Sequence, residues 1–145
     1  MMVNLNYKGK IVESLKGFEF GDWKPQQYVY RCKDYTVVIF KSGSCRIMGC
    51  KKILDESKLP FKIIVNGIQS ITTSIDLRRQ VNLNKLAKEL NNNCYFDPET
   101  FPALRMTAFN PLCVNVFASG KVVIMGIKTL DYDDLVNRIL LNITV

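Results

Sequence analysis

The chain has 145 residues, 48% of them apolar, which is enough to bury one domain-sized core. It holds no run near the roughly 18 apolar residues of a membrane span, and its opening "MMVNLNYKGK" lacks the apolar centre of a secretion signal, so a reduced, intracellular protein away from membranes is expected. Five cysteines with no CxxC and no histidine count against zinc sites and a disulfide framework, and the net charge of +7 points to a polyanionic partner, most often nucleic acid.

In chain order, "VNLNYKG" (3–9) reads as a short strand and "KIVESLKG" (10–17) as a short helix closed by Gly17. "QQYVYRC", "YTVVIFK" and "CRIMGCK" follow as a three-strand meander, and "KILDESKL" (52–59) allows at most two helical turns before Pro60. The stretch "IIVNGIQSITTSIDL" (63–77), rich in Ile and Thr, predicts a long strand. "NLNKLAKEL" then sets Leu83, Leu86, Ala87 and Leu90 at the spacing of a one-faced helix, which "NNN" ends. A second meander from Cys94 to Lys128 is punctuated by Asp97-Pro98, Asn110-Pro111 and Ser119-Gly120. The last helix opens with Asp131, Asp133 and Asp134, acids that favour a helix N-terminus, and carries Leu135, Val136, Ile139 and Leu140 on one stripe.

The two halves repeat. "IFKSGSCRIMGCK" (39–51) and "VFASGKVVIMGIK" (116–128) share seven of thirteen positions without a gap, and Trp23 pairs with Phe101 as Phe40 pairs with Phe117. No linker of flexible composition separates them. The expectation is a single domain, 1–145, made of an abbreviated repeat over about 1–61 and a fuller one over about 62–145, with one continuous sheet and the helices stacked on a single side. Charge divides unequally: residues 1–64 carry 12 Lys/Arg against 6 Asp/Glu, and the rest 8 against 7.

Alternation along strands sorts the side chains. Val37, Ile39, Cys45 and Ile47, with Val114, Val116, Val122 and Ile124, are assigned to the helix side. The other face then carries Val38, Phe40, Arg46 and Met48 in one repeat and Asn115, Phe117, Val123 and Met125 in the other, with no helix left to cover it. An open apolar sheet face is costly in water and marks a partner surface. The pattern alone leaves DNA and protein equally open as that partner.

These residues resemble the TATA-binding protein family. The resemblance rests on "ETFPAL", "VFASGKVVIMGIK", "IQSITTSIDL" and "IFKSGSCRIMGCK", duplicated at the right spacing, and covers nearly the whole second half and the meander of the first. It implies an α+β saddle in which two pseudo-symmetric repeats form one curved antiparallel sheet with helices on the convex side. It also implies a transcription initiation factor that lays its concave face into the minor groove of AT-rich double-stranded DNA and kinks it with aromatic wedges, as members of this family do. Carried across, the DNA-intercalating residues are Trp23, standing where the family has Phe, with Phe40, Phe101 and Phe117. The groove-facing residues are Val38, Arg46, Met48, Ser70, Asn115, Val123 and Met125, and the phosphate-contacting ones are Ser42, Lys51, Arg105, Ser119, Lys121 and Lys128.

The family pattern is not kept throughout. Ser70 replaces the family's central Asn of the second repeat, and the first-repeat partner of that Asn is expected to fall before the chain begins. Met48 and Met125 stand for Thr, Arg46 for Val, Asn115 for an apolar residue, and Ser44 for a Lys. Such divergence suggests a viral or otherwise fast-evolving source. The rival reading keeps the saddle as a protein-interaction or substrate-recognition module that has lost TATA-specific binding. No nucleophile motif, phosphate-cradling loop or ligand cluster points to an enzyme, and no cofactor or metal is expected. The expected partners are AT-rich duplex, other transcription factors or RNA polymerase subunits, and a second copy through the concave face when DNA is absent. The expected location is the nucleus, or the site of viral transcription for a viral source.

Overall fold

The computed structural model describes residues 1–15 and 27–143. Nine strands are formed: β1 (Met2–Ile11), β2 (Gln27–Arg31), β3 (Thr36–Phe40), β4 (Ser44–Cys50), β5 (Ile63–Asp76), β6 (Cys94–Tyr95), β7 (Ala103–Met106), β8 (Cys113–Phe117) and β9 (Lys121–Ile127). The α-helices are α1 (Leu83–Leu90) and α2 (Asp133–Leu141). Two compact units result, one of Val3–Ser70 and one of Ile71–Val145 with Met1–Met2.

In the first unit the ladder runs β2-β3-β4-β1-β5, and in the second β5-β9-β8-β7-β6. Strand β5 belongs to both, so the strands form a single hydrogen-bonded order of nine. The β2-β3, β3-β4, β4-β1, β5-β9, β9-β8, β8-β7 and β7-β6 pairings are antiparallel.

The two ladders correspond residue by residue. Tyr7 opposes Ile47 as Thr73 opposes Ile124, and Leu5 opposes Cys50 as Ile71 opposes Ile127. Between those pairs each ladder has one extra residue on β4 or β9, a bulge that coincides with Gly49 (φ +80°) or Gly126 (φ +95°). In both bulges the glycine takes a positive φ, a conformation it adopts without penalty, and a bulge bends its strand and raises the local twist.

The core follows the assigned side. Val37, Ile39, Ile47, Val114, Val116, Val122 and Ile124 are fully buried, and Cys45 nearly so. In the second unit α1 contributes Leu83 and Leu86 and packs on β6 and β7, while α2 contributes Val136 and Ile139. Asn82 caps α1, its side chain accepting from the Lys85 N–H at 3.1 Å, and Asp133 and Asp134 occupy the first turn of α2 where its dipole favours them.

The first half departs from expectation on this side. Residues 10 and 11 extend β1 rather than starting a helix, residues 12–15 are irregular, and 16–17 lie outside the described residues. Pairing explains the strand: Lys10 opposes Ser44, the Ile11 N–H donates to the Gly43 carbonyl at 2.9 Å, and the Val12 N–H donates to the Lys62 carbonyl at 2.8 Å. At residues 10–12 a short apolar spacing did not compete with these ladder hydrogen bonds. Of the fragment expected over 52–59, only a 3-10 turn forms, Glu56–Lys58, held by Asp55. Phe61 instead meets Tyr28 and Tyr30 edge-on at 6.2 and 5.4 Å, and those two rings stand opposite the core residues Ile39 and Val37.

All five cysteines are free. Burial pushes the Cys45 and Cys50 thiols above the usual range, so both are held neutral. Because they ionise later folded than unfolded, the stability they contribute is complete below the ordinary thiol pKa and falls as pH rises above it. Alkylation of the native protein at mildly alkaline pH is therefore expected to modify exposed Cys32 well before Cys45 or Cys50, as mass mapping over time would show. At the second hairpin turn a Cβ on Gly120 (φ +95°) would lie 2.0 Å from the Arg79 carbonyl oxygen, whereas one on Gly43 (φ +91°) meets nothing nearer than 3.9 Å. Gly120→Ala should thus cost about 2 kcal/mol or more and Gly43→Ala about 1 kcal/mol, compared by chemical denaturation.

Candidate nucleic-acid interface

Each repeat fixes an aromatic residue by the same backbone device. The N–H of Gly43 donates to the Phe40 carbonyl at 2.9 Å, and the N–H of Gly120 donates to the Phe117 carbonyl, also at 2.9 Å. The turn is then tied to the neighbouring strand, Ile11 donating to Gly43 and Leu77 to Gly120, again at 2.9 Å in both. Phe40 and Phe117 therefore end β3 and β8 on the side away from the core, and both are half-buried. Phe101 comes from a different construction. Asp97 accepts from the Glu99 N–H through its side chain and from the Thr100 and Phe101 N–H groups through its carbonyl, so "FDPETF" wraps into a turn that presents the ring. Phe101 is 45% exposed and meets Phe117 at 6.2 Å between ring centres, at 67°. Trp23 lies outside the described residues.

Register places the other residues expected on the open side. In the second unit Ser74, Val123, Asn115, Arg105 and Tyr95 form one row across the strands. Met125 and Cys113 form the next row and Asp76 and Lys121 another. In the first unit Val29, Val38, Arg46 and Lys8 form the corresponding row, flanked by Arg31, Thr36 and Met48. Met48 and Arg46 are exposed, and Val123 and Met125 half-buried.

Two residues expected on this open face are instead buried, Val38 at 6% exposure and Asn115 at 5%. Both occupy the middle of a strand with paired neighbours on either side, Val29 and Arg46 for Val38, Arg105 and Val123 for Asn115. At such a position the flanking strands alone take most of the accessible area from a short side chain, even where no helix covers the face. Asn115 Oδ1 has no hydrogen-bond partner among the described residues. On the helix side the same is true of the Thr73 hydroxyl.

The repeat correspondence also corrects the expectation about Ser70. Since Leu5 answers to Ile71 across the two ladders, the residue answering to Ser70 is Asn4, which lies inside the chain. Asn4 Oδ1 accepts from Lys51 Nζ. Two residues on, Asn6 donates to the Ser70 hydroxyl at 3.2 Å and accepts from the Gly49 N–H at 3.0 Å, tying together the strands on which these polar groups stand. The matching signal was present in "VNLN" against "QSIT", but the strands differ in offset from the hairpins, so gapless alignment of the hairpins missed it.

Ser42, Lys51, Arg105, Ser119, Lys121 and Lys128, the residues expected to touch phosphates, are all exposed. Sequence reasoning overlooked Lys8, Lys10 and Arg31, which register adds to the open side of the first unit. Alternation from Gly9, once β1 is recognised as a full-length strand, would have found the first two. Among the described residues no group of three His, Cys, Asp or Glu is placed to hold a metal ion.

A family model described as "Transcription factor TFIID (or TATA-binding protein, TBP)" matches residues 65–143. The chain is 35% identical over 127 residues to the TATA-box-binding protein of Aeropyrum pernix, covering 74% of this chain and 62% of that relative, less than two thirds of its length. It is 34% identical over 138 residues to that of Methanobrevibacter smithii, covering 83% and 75%. The solved structure of Methanococcus jannaschii TBP superposes with a TM-score of 0.72 at 27% identity, over 98% of this chain and 96% of that one. The expected fold class is met: the chain shares the fold of that protein over nearly all its length.

The orphaned amide gives a direct test of the buried position. Asn115→Val removes an unsatisfied oxygen at nearly constant volume, so the free protein should gain about 1 kcal/mol in urea unfolding with its slope unchanged.

Proposed function

Because the chain belongs to the TATA-binding protein family, we propose that it is a transcription initiation factor that binds AT-rich promoter DNA through the minor groove, with the open side of its sheet. The observation that carries this reading is the edge-on pair Phe101–Phe117 at the Ser-Gly turn, on the side away from the core, with Phe40 held by the same backbone hydrogen bond in the other repeat.

The physical requirements of the groove match these residues. Unstacking a base step costs a few kcal/mol, and a wedge offsets it only if its apolar area was exposed beforehand and is buried in the complex. Phe101 meets that condition at 45% exposure, and burying a Phe side chain fully returns about 1.5–3 kcal/mol. The paired rings cover each other's edges in the free protein, which lessens the cost of exposing two aromatics in water. Between the turns, Val123 and Met125 offer apolar surface to the groove floor. A·T pairs present only acceptors there, whereas a G·C pair adds a protruding amino group that such surface cannot satisfy. Lys121, Arg105, Lys128 and Lys51, with Ser42 and Ser119, take the phosphates and add affinity without reading sequence. Trp23 and Phe40 serve as the second wedge pair.

The protein acts where promoter DNA is transcribed, with other initiation factors or polymerase subunits as further partners. The helices, not required at the groove, are available to them. Phe101→Ala combined with Phe117→Ala should weaken binding to an AT-rich duplex by about 30-fold or more and reduce the bend measured by end-to-end energy transfer. Equal, feeble binding of the unaltered protein to AT-rich and GC-rich duplexes would sink the proposal in favour of a protein occupant of the same face.

A further inference from the structure

We infer that the two repeats divide the work of holding DNA: the open side of the first unit is a charge anchor, and that of the second carries the discrimination between base pairs. The inference rests on the reading above and concerns how that same face is used. In β1, Lys8 stands directly opposite Arg46 and Lys10 opposite Ser44; in β2, Arg31 stands opposite Thr36. All four cations are exposed, and none forms an ion pair among the described residues.

The corresponding positions of the second unit are different in kind. Lys8 answers to Ser74, Lys10 to Asp76 and Arg46 to Val123. The second unit does carry Arg105 and Lys121 on this side, but Lys121 stands opposite Asp76. One ladder thus presents four positive charges, and the other two positive and one negative.

Like charges directly opposite in an antiparallel pair are destabilising, by up to roughly 1 kcal/mol. Lys8 and Arg46 occupy such a pair with no acid in their row of Val29, Val38, Arg46 and Lys8. An arrangement unfavourable in the free protein becomes favourable against a dense array of negative charge, and a duplex presents one along its whole length. Long cationic side chains lying in the groove also hold the sheet off the base edges, whereas the residues answering to Lys8 and Arg46 in the second unit, Ser74 and Val123, are short and neutral and let the sheet approach them; the long cation of that row, Arg105, stands further out on β7. Charge fixes position and close apolar contact reads sequence, so the division follows from which residues stand at matching places.

The test uses the full chain and fluorescence anisotropy with labelled AT-rich and GC-rich duplexes, titrated between low and moderate salt. Lys8→Gln/Lys10→Gln/Arg46→Val should flatten the dependence of log affinity on log salt by about two to three in slope, while the ratio of AT to GC affinity holds within about twofold. The reciprocal change, Val123→Arg, should steepen the slope by about one and drive that ratio towards unity. The melting temperature of the free triple variant should match or exceed that of the unaltered chain, since a repulsion is removed. A triple variant with an unchanged slope, with a lost AT preference, or with a lowered melting temperature would overturn the division of labour while leaving DNA binding intact. Failure of the unaltered protein to bind either duplex would overturn the function and this inference together.

Discussion

A pleated strand has two sides, and a small protein with helices for only one of them must leave the other to something else. That constraint organises the whole molecule. Once Val37, Ile39 and Ile47, and their counterparts Val114, Val116 and Ile124, are committed to the core, the side chains between them are forced to the opposite face in a fixed order. The residues that remain are rings at the turns, apolar and cationic groups between them, and hydroxyls and lysines around the margins. No single residue of that set is distinctive, but their shared side makes them a surface.

The backbone at the two Ser-Gly turns converts this general constraint into position. An aromatic residue at a strand end is presented in one place only if the backbone that carries it is fixed. Here the glycine N–H closes onto the carbonyl of the aromatic residue itself, and the glycine carbonyl accepts from the next strand. The left-handed glycine makes that closure possible, and at Gly120 the approach of the Arg79 carbonyl leaves no room for any other residue. The turn bond, the cross-strand bond and the glycine bulges are the same in both repeats, while the residues between them differ. It is this difference, Arg46 against Val123 and Lys8 against Ser74, that makes the repeats chemically unequal on equivalent frames.

The parts of the fold legible in the sequence were those with strong local periodicity or an internal copy. Helix α1, with Asn82 before Leu83 and Leu86, and the hairpin around Ser119-Gly120 could be placed from spacing alone. The first repeat was read less well. Residues 10–17 have enough apolar spacing to suggest a helix, yet at Ile11 and Val12 partners 32 and 50 residues away, Gly43 and Lys62, supply hydrogen bonds that a local pattern cannot announce.

By itself the sequence determined the family, the duplication and the side on which each hairpin residue stands, because alternation and repetition are properties of order along a chain. Only tertiary structure decided how much of each side chain the neighbouring strands hide, as with Val38 and Asn115, and which distant residues share a row, as with Asn4 for Ser70 and Lys8 for Arg46. The reason is physical: burial and register depend on pairing between segments far apart in the chain, and a one-residue offset changes both without altering a letter of the sequence.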